Sequence, residues 1–370
     1  MLSELDDTLW HQLALTFDHV GTSDPRFFDR YWFAAYAPDG SGALQATMGV
    51  YRNMNVIDGG VSFITGGKQH NLRVSRSIAR LNATVCGPLR ISVLQPLQRF
   101  QIDLHDEEGR LSGEILWDGS APPEEEAPHF KREHGRVVED YQRFNQIGRA
   151  TGWVQAGDSR IEIRDWWACR DHSWGVRPRI GIREPRTGPA ATLDQKGFTM
   201  AFLFFSTDWL AGTILIMTRE GEPSYVSGTV REQENGTVHE LRNVVLEPRL
   251  HPATRRFQSA TLIATLEDGH RLVIDCTASG PAVAMQGIGY SGGYNDKGGL
   301  GAWRGTMVVE HDVWDVVDPA QIRYPEGRQD QHWHRIQPVV LKASLDGRES
   351  IGQGSMTLVL SGSIPSLGLL

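Results

Sequence analysis

Paired cysteines, long apolar runs and basic clusters are all missing from this sequence. Its three cysteines, Cys86, Cys169 and Cys276, are widely separated and show no CxxC spacing. A disulfide framework and a thiolate zinc site are therefore not expected, and the natural compartment is a reducing cytoplasm. No run of about 18 apolar residues occurs, so no integral membrane segment is expected. The N-terminal stretch MLSELDDTLWHQL carries acids where a secretory signal would carry positive charge. Lys and Arg number 37 against 45 Asp and Glu, for a net charge of −8. Without clustered cations there is little to neutralise phosphates, which argues against a nucleic-acid partner. The partner left by these absences is a small molecule.

What the chain has in quantity is turn residues and indole. Its 370 residues include 40 Gly, 18 Pro and 11 Trp, a composition unlike a helical bundle. The length exceeds what one hydrophobic core usually serves, so two domains are expected. Ser3 can cap a short N-terminal helix over 4–15, with Asp6 in the capping-box position and Leu5, Leu9 and Leu13 near one face. Beyond it the apolar period becomes two. Residues 31–36 run into the turn Pro38-Asp39-Gly40 and return over 42–52, a hairpin pattern that recurs along the chain. The expected fold class is all-β, with closely spaced antiparallel strands in barrels or sandwiches. The Pro-containing stretch 184–195 is the expected boundary, giving domains over 1–185 and 196–370. The acidic run Glu124-Glu125-Glu126 reads as a solvated surface loop.

Several motifs invite functional readings. Gly287-Ile-Gly-Tyr-Ser-Gly-Gly293 satisfies both GxGxxG and GxSxG around Ser291. A dinucleotide site or a nucleophile elbow needs a helix directly afterwards, and 294–303 is Gly-rich and leads into a strand, so a Gly-rich loop is expected. Asp312 and His332 follow Ser291 in the order of a hydrolase triad, within a tail that reads as strands. His332 and His334 share one strand face, as in some metal sites, yet lack a diagnostic ligand cluster, so no metal is assigned.

The richest segment is 161–177. Strand alternation puts Trp166, Ala168, Arg170, His172 and Trp174 on one face, and Asp165, Trp167, Cys169, Asp171 and Ser173 on the other. An imidazole, a guanidinium and indoles sharing a face suit a proton-transfer site if that face lines a cavity. The plain alternative is a packed strand whose polar groups bond to one another and whose tryptophans fill the core.

Residues 170–177, Arg-Asp-His-Ser-Trp-Gly-Val-Arg, resemble the DHxWG-type signature of the carotenoid 1,2-hydratase (hydroxyneurosporene synthase) and AttH-like superfamily, which includes lipocalin-like fungal Diels–Alderases. His70–Ser77 and Glu310–Asp312 support the resemblance by layout. It implies two tandem lipocalin-like β domains with a pocket near their junction that accepts hydrophobic molecules. Carried over by position, it implies His172 and Trp174 in the chemistry, with Asp171 matching the motif's acid. The expected catalytic groups are His172 and Asp171. Trp174, with Trp166 and Arg170 from the same strand face and Arg177 beyond it, is expected around the substrate. The strand 199–208 departs from the hydratase branch: it has neither that branch's Tyr nor its Asp at the matching place, only Asp208 further on. The expected function is a cofactor-independent lyase, isomerase or cyclase acting on a hydrophobic isoprenoid, steroid-like or polyketide-like molecule. A lipocalin-like carrier without chemistry, and a pericyclase acting by shape alone, are the alternatives.

Overall fold

The computed structural model describes residues 2–78, 84–133, 135–181 and 197–369, so the expected boundary over 184–195 lies outside the described residues. Among them, strands account for nearly all regular structure. The first meander is β1 (Phe27–Tyr36), β2 (Gly42–Tyr51), β3 (Val56–Thr65) and β4 (Lys68–Ser77). It is followed by β5 (Val85–Cys86), β6 (Leu89–Gln95), β7 (Arg99–His105) and β8 (Leu111–Gly119). Next come the short β9 (Glu124–Glu125) and β10 (His129–Glu133), and the long hairpin β11 (Arg136–Ala156) and β12 (Ser159–Val176). Antiparallel pairing orders them β4-β3-β2-β1-β12-β11-β8-β7-β6-β5. The sheet curls around one core in which Phe33, Leu44, Met48 and Phe63 meet Leu89, Phe100, Ile115 and Trp117.

The second sheet contains β13 (Phe198–Thr207), β14 (Leu210–Arg219), β15 (Glu222–Ser227), β16 (Thr229–Glu232), β17 (Val238–Leu250), β18 (Phe257–Leu266), β19 (Arg271–Ala278) and β20 (Val283–Ala284). The chain then leaves it. β21 (Met307–Asp315) adds to the edge of β4 over nine register pairs, with β22 (Ile322–Arg323) and β23 (Gln329–Asp330) beyond. β24 (Arg335–Leu345) and β25 (Arg348–Ser361) return to the second sheet. There β13 pairs with both β25 and β14, so eight strands close into a barrel. The all-β expectation holds, as one closed eight-stranded barrel beside a large, curled antiparallel sheet.

The two sheets share a seam. Along β13 the odd residues Ala201, Leu203 and Phe205 fill the second barrel, while Phe202 and Phe204 turn outward. They meet Trp32, Ala34 and Tyr36 of β1, Ile147 of β11 and Trp167 and Cys169 of β12. Both faces of β1 and β13 are thus buried, which is why these strands read as nearly continuous apolar runs. Polar links cross the seam from Tyr36 Oη to Ser355 Oγ at 2.8 Å and from Trp167 Nε1 to Ser206 Oγ at 2.8 Å.

Two local expectations change. The N-terminal helix is a single 3₁₀ turn, Glu4–Asp7. The Asp6 carboxylate does accept from Ser3 N and Oγ, but it also takes the backbone N–H of Phe17 at 2.8 Å, folding the chain back after one turn. The leucine stripe finds no surface to cover, and Leu9 is 98% exposed. The acidic run is solvated only at Glu125: Glu126 is buried and Glu124 bonds Arg231 of the second barrel at 2.8 Å.

The seam and the mouth as candidate functional sites

β12 carries its chemistry on two faces, and a bulge decides which residue lies on which. Ala150 pairs with Trp166 and Gly152 with Ile163, so Arg164 and Asp165 together oppose one residue of β11. Asp165 takes the left-handed conformation, φ 52°. Before it Ile163 points into the first core; after it Trp166 and Ala168 do. The faces from 166 to 174 are those that alternation predicts.

The first face opens at the mouth of the curled first sheet. Cross-strand register stacks it in layers: Asp29, Trp174 and Gln142 at the rim; Tyr31, His172 and Phe144 below; then Phe33, Arg170 and Gln146. His172 Nε2 lies 2.7 Å from Asp29 Oδ1, and its ring packs at 4.5 Å from Tyr31, 5.4 Å from Phe144 and 5.2 Å from Trp174. As a carboxylate, Asp29 accepts the Nε2 proton and leaves Nδ1 as the basic nitrogen. Trp174 is the exposed lip, at 37%.

Arg170 lies fully buried beneath this layer, and burial brings its pKa down to about 10. Its Nε donates to Gln146 Oε1 at 2.9 Å. The Gln146 amide nitrogen donates to the carbonyls of Leu97 and Ala121, which fixes the oxygen toward Arg170. Phe100, Phe144 and Trp117 surround the guanidinium at 4.3, 5.0 and 5.2 Å. Desolvated cation–π contacts of up to about 2 kcal/mol each offset part of its burial. Trp166 sits in the core and lines neither surface.

The second face looks into the seam. Asp171 is half-buried there, and among the described residues nothing hydrogen-bonds its carboxyl. Burial pushes that carboxyl above its ordinary range; Arg143, Arg177 and His172 oppose and Glu126 reinforces. Arg143 donates to Glu126 Oε1 at 3.2 Å and lies 5.4 Å from the Phe202 ring. Glu126 also meets Asn145 Nδ2 at 2.7 Å and His129 Nε2 at 2.8 Å. His129 in turn stacks between Tyr141 and Tyr225, both at 4.2 Å. Burial alone would raise the Glu126 carboxyl, but Arg143, His129 and Asn145 outweigh it and hold it low. Arg177 closes the other side, 4.4 Å over Phe28. Half-buried Met200, Met217, Tyr225 and Tyr290 pack against the apolar seam.

The predicted pair Asp171 and His172 is thus split between two surfaces. Sequence reasoning missed Asp29, Arg143 and Glu126, which reach β12 through strand register and through the segment carrying the acidic run. Asp208 is exposed in the turn after β13. The other motifs resolve into scaffolding. Ser291 is exposed, Asp312 pairs with Arg73 at 2.7 Å and accepts from Asn71 at 2.8 Å, and His332 meets Tyr324 and stacks on Trp314. His334 packs against Tyr290. Among the described residues the three-residue group with metal-ligand spacing is His239, Asp268 and His270, in the second barrel.

A model of a family of unknown function, DUF8625, matches residues 2–325. No curated protein matches the chain. Among solved structures, CghA with Sch210972 is similar at TM-score 0.51 and 9% identity, covering 92% of this chain and 89% of that one. Kievitone hydratase from Nectria haematococca is similar at TM-score 0.51 and 10% identity, covering 90% and 89%. At such identities the likeness is one of fold.

Proposed function

Because the chain belongs to DUF8625, a family of unknown function, its activity is read from the seam itself, and we propose that it is an enzyme protonating a hydrophobic small molecule there. The observation that carries this is Asp171, a half-buried carboxyl raised by burial and left without a hydrogen-bond partner among the described residues. A carboxyl held above its ordinary range keeps its proton to higher pH than a solvated one and is suited to donate it. The surrounding Phe202, Trp32 and Tyr225 offer apolar faces, and Arg177 offers a charge for an acidic or carbonyl oxygen at one end of the substrate.

The reaction class is addition or removal of water, or double-bond isomerisation. Asp171 gives its proton to a C=C bond, the π electrons form the new C–H bond, and the neighbouring carbon becomes cationic. Water captures that carbon and returns a proton to the Asp171 carboxylate. Loss of a neighbouring C–H proton to the same carboxylate gives isomerisation instead. The name of kievitone hydratase, a solved structure of like fold, agrees with this class.

The test is incubation of the full chain with unsaturated isoprenoid, steroid-like and polyketide-like compounds in D₂O, read by mass spectrometry. Asp171→Asn should lower deuterium entry at carbon by roughly 10²–10⁴-fold, with ligand affinity kept and His172→Ala near wild type. Undiminished turnover in Asp171→Asn removes Asp171 from the reaction. A second reading rests on the 2.7 Å His172–Asp29 contact above buried Arg170: turnover lost in His172→Ala and kept in Asp171→Asn would move the chemistry to the mouth of the first sheet. Binding with every ligand recovered unchanged would make the protein a carrier.

A further inference from the structure

The turns that close one end of the second barrel hold a polar cluster the seam does not use. His239, on β17, is 4% exposed. Its Nδ1 lies 2.5 Å from Asp268 Oδ2 and its Nε2 lies 3.0 Å from Glu232 Oε1. His270 stands nearly perpendicular to it, the ring centroids 5.4 Å apart, and its Nδ1 is held by Asp346. One ligand atom from each of His239, Asp268 and His270 lies within 4.8 Å of the other two.

We propose that His239, Asp268 and His270 bind a divalent transition metal of the zinc class. Two imidazoles and one carboxylate form a mixed nitrogen and oxygen donor set, which suits such ions and not the oxygen-only preference of magnesium or calcium. The outer shell is the second, independent feature. Metal-bound histidines usually donate their other ring N–H to a carboxylate, which fixes the tautomer. Both imidazoles have that partner here. Glu232 receives Nε2–H of His239, leaving the Nδ1 lone pair on the side of Asp268. Asp346 receives Nδ1–H of His270, leaving Nε2 as the ligand atom.

Backbone geometry holds the donors in place. Residues 266–270 form a reverse turn in which Gly269 N donates to Leu266 O at 3.0 Å and Gly269 adopts φ 92°. His270 N donates to Asp268 Oδ1 at 3.2 Å, and Arg271 N to Asp346 Oδ1 at 2.9 Å. The nearby cation Arg348 is engaged by Glu234 at 2.6 and 3.0 Å. Three carboxylates are therefore left facing two imidazoles, an excess of negative charge that a divalent ion offsets. Asp268 and His270 face solvent, so water completes the coordination. Bound there, the ion ties the 266–271 turn to the start of β17.

The experiment is titration of chelator-treated, dialysed full-length protein with Zn²⁺ by calorimetry and with Co²⁺ by visible absorption. The expected result is one saturable site, a Co²⁺ ligand-field band of low-symmetry coordination, and a Zn²⁺-dependent rise in melting temperature. Glu232→Gln should weaken binding by roughly 10–100-fold; Asp268→Asn and His270→Ala should weaken it further and abolish the rise. Both replaced residues are half-exposed, and circular dichroism checks that the barrel is kept. Absence of saturable binding overturns the proposal. So does binding of unchanged affinity in Asp268→Asn and His270→Ala, which would put the metal elsewhere on the chain.

Discussion

Asp171 and His172 are adjacent in the chain and face different surroundings, so each is a control for the other. If Asp171 is the acid, its protonated form is the active one. That form is lost as pH rises through a pKa that burial holds above the ordinary carboxylate value of about 4. The rate should therefore fall with increasing pH along a limb displaced upward from that value, and Asp171→Asn should remove the limb. Arg170 supplies a second residue-scale expectation. Its Nη1 and Nη2 are buried without a hydrogen-bond partner among the described residues, a cost that an apolar side chain removes, so Arg170→Met should change the unfolding free energy by no more than about 2 kcal/mol, measured by urea titration. A larger loss would mean that the cation–π contacts dominate. The alternation of residues 166–174 was legible in the sequence because period two is a backbone property. Asp29 was not, since it reaches His172 only through the pairing of β1 with β12, across 143 positions.

At the scale of elements, hairpins were the readable unit. Apolar alternation broken by Asp-Gly or Gly-Gly turns marked most strands, whose ends here lie close to those positions. The N-terminal helix failed for a reason outside local propensity, because the Asp6 carboxylate that caps the turn also captures Phe17. Gly175 is where strand β12 most needs its residue type. Its φ is 131°, and a Cβ there would lie 2.3 Å from Asp140 O and 2.5 Å from Tyr141 Cα of β11. Gly175→Ala should destabilise the protein by roughly 2 kcal/mol or more, seen as a lower denaturation midpoint. It should also disturb Trp174 and Tyr141 on either side. A midpoint like wild type would show that the ladder relaxes freely at this end.

The whole molecule is knitted together by β21, and no local pattern could announce that. Residues 305–310 read simply as a strand; that the observed strand Met307–Asp315 joins β4 instead of neighbouring β24 is a tertiary choice set by side-chain fit. Arg73 meets Glu310 and Asp312 across that pair at 3.3 and 2.7 Å. Removal of everything after residue 185 would expose both the β4 edge and the aromatic seam. Calorimetry on the intact chain should thus show a single cooperative transition, and two separated transitions would favour independent domains. Acid should weaken the same assembly. Burial holds His332 at about 4 and His334 at about 3, against 6.5 when unfolded. The unfolded chain therefore binds protons first, and stability should fall as pH drops from about 6.5 toward 4. Urea midpoints across that range test this, and replacing His334 with Gln should flatten the slope.

The bulge at Asp165 gives β12 something like a reading frame. Side chains are assigned to the mouth of the first sheet or to the seam by parity counted from that point, so the order of two letters decides which environment receives the acid. Exchanging them, as Asp171→His with His172→Asp, preserves composition, charge and strand while trading the contents of the two surfaces. A chain built this way can relocate its chemistry without changing its fold.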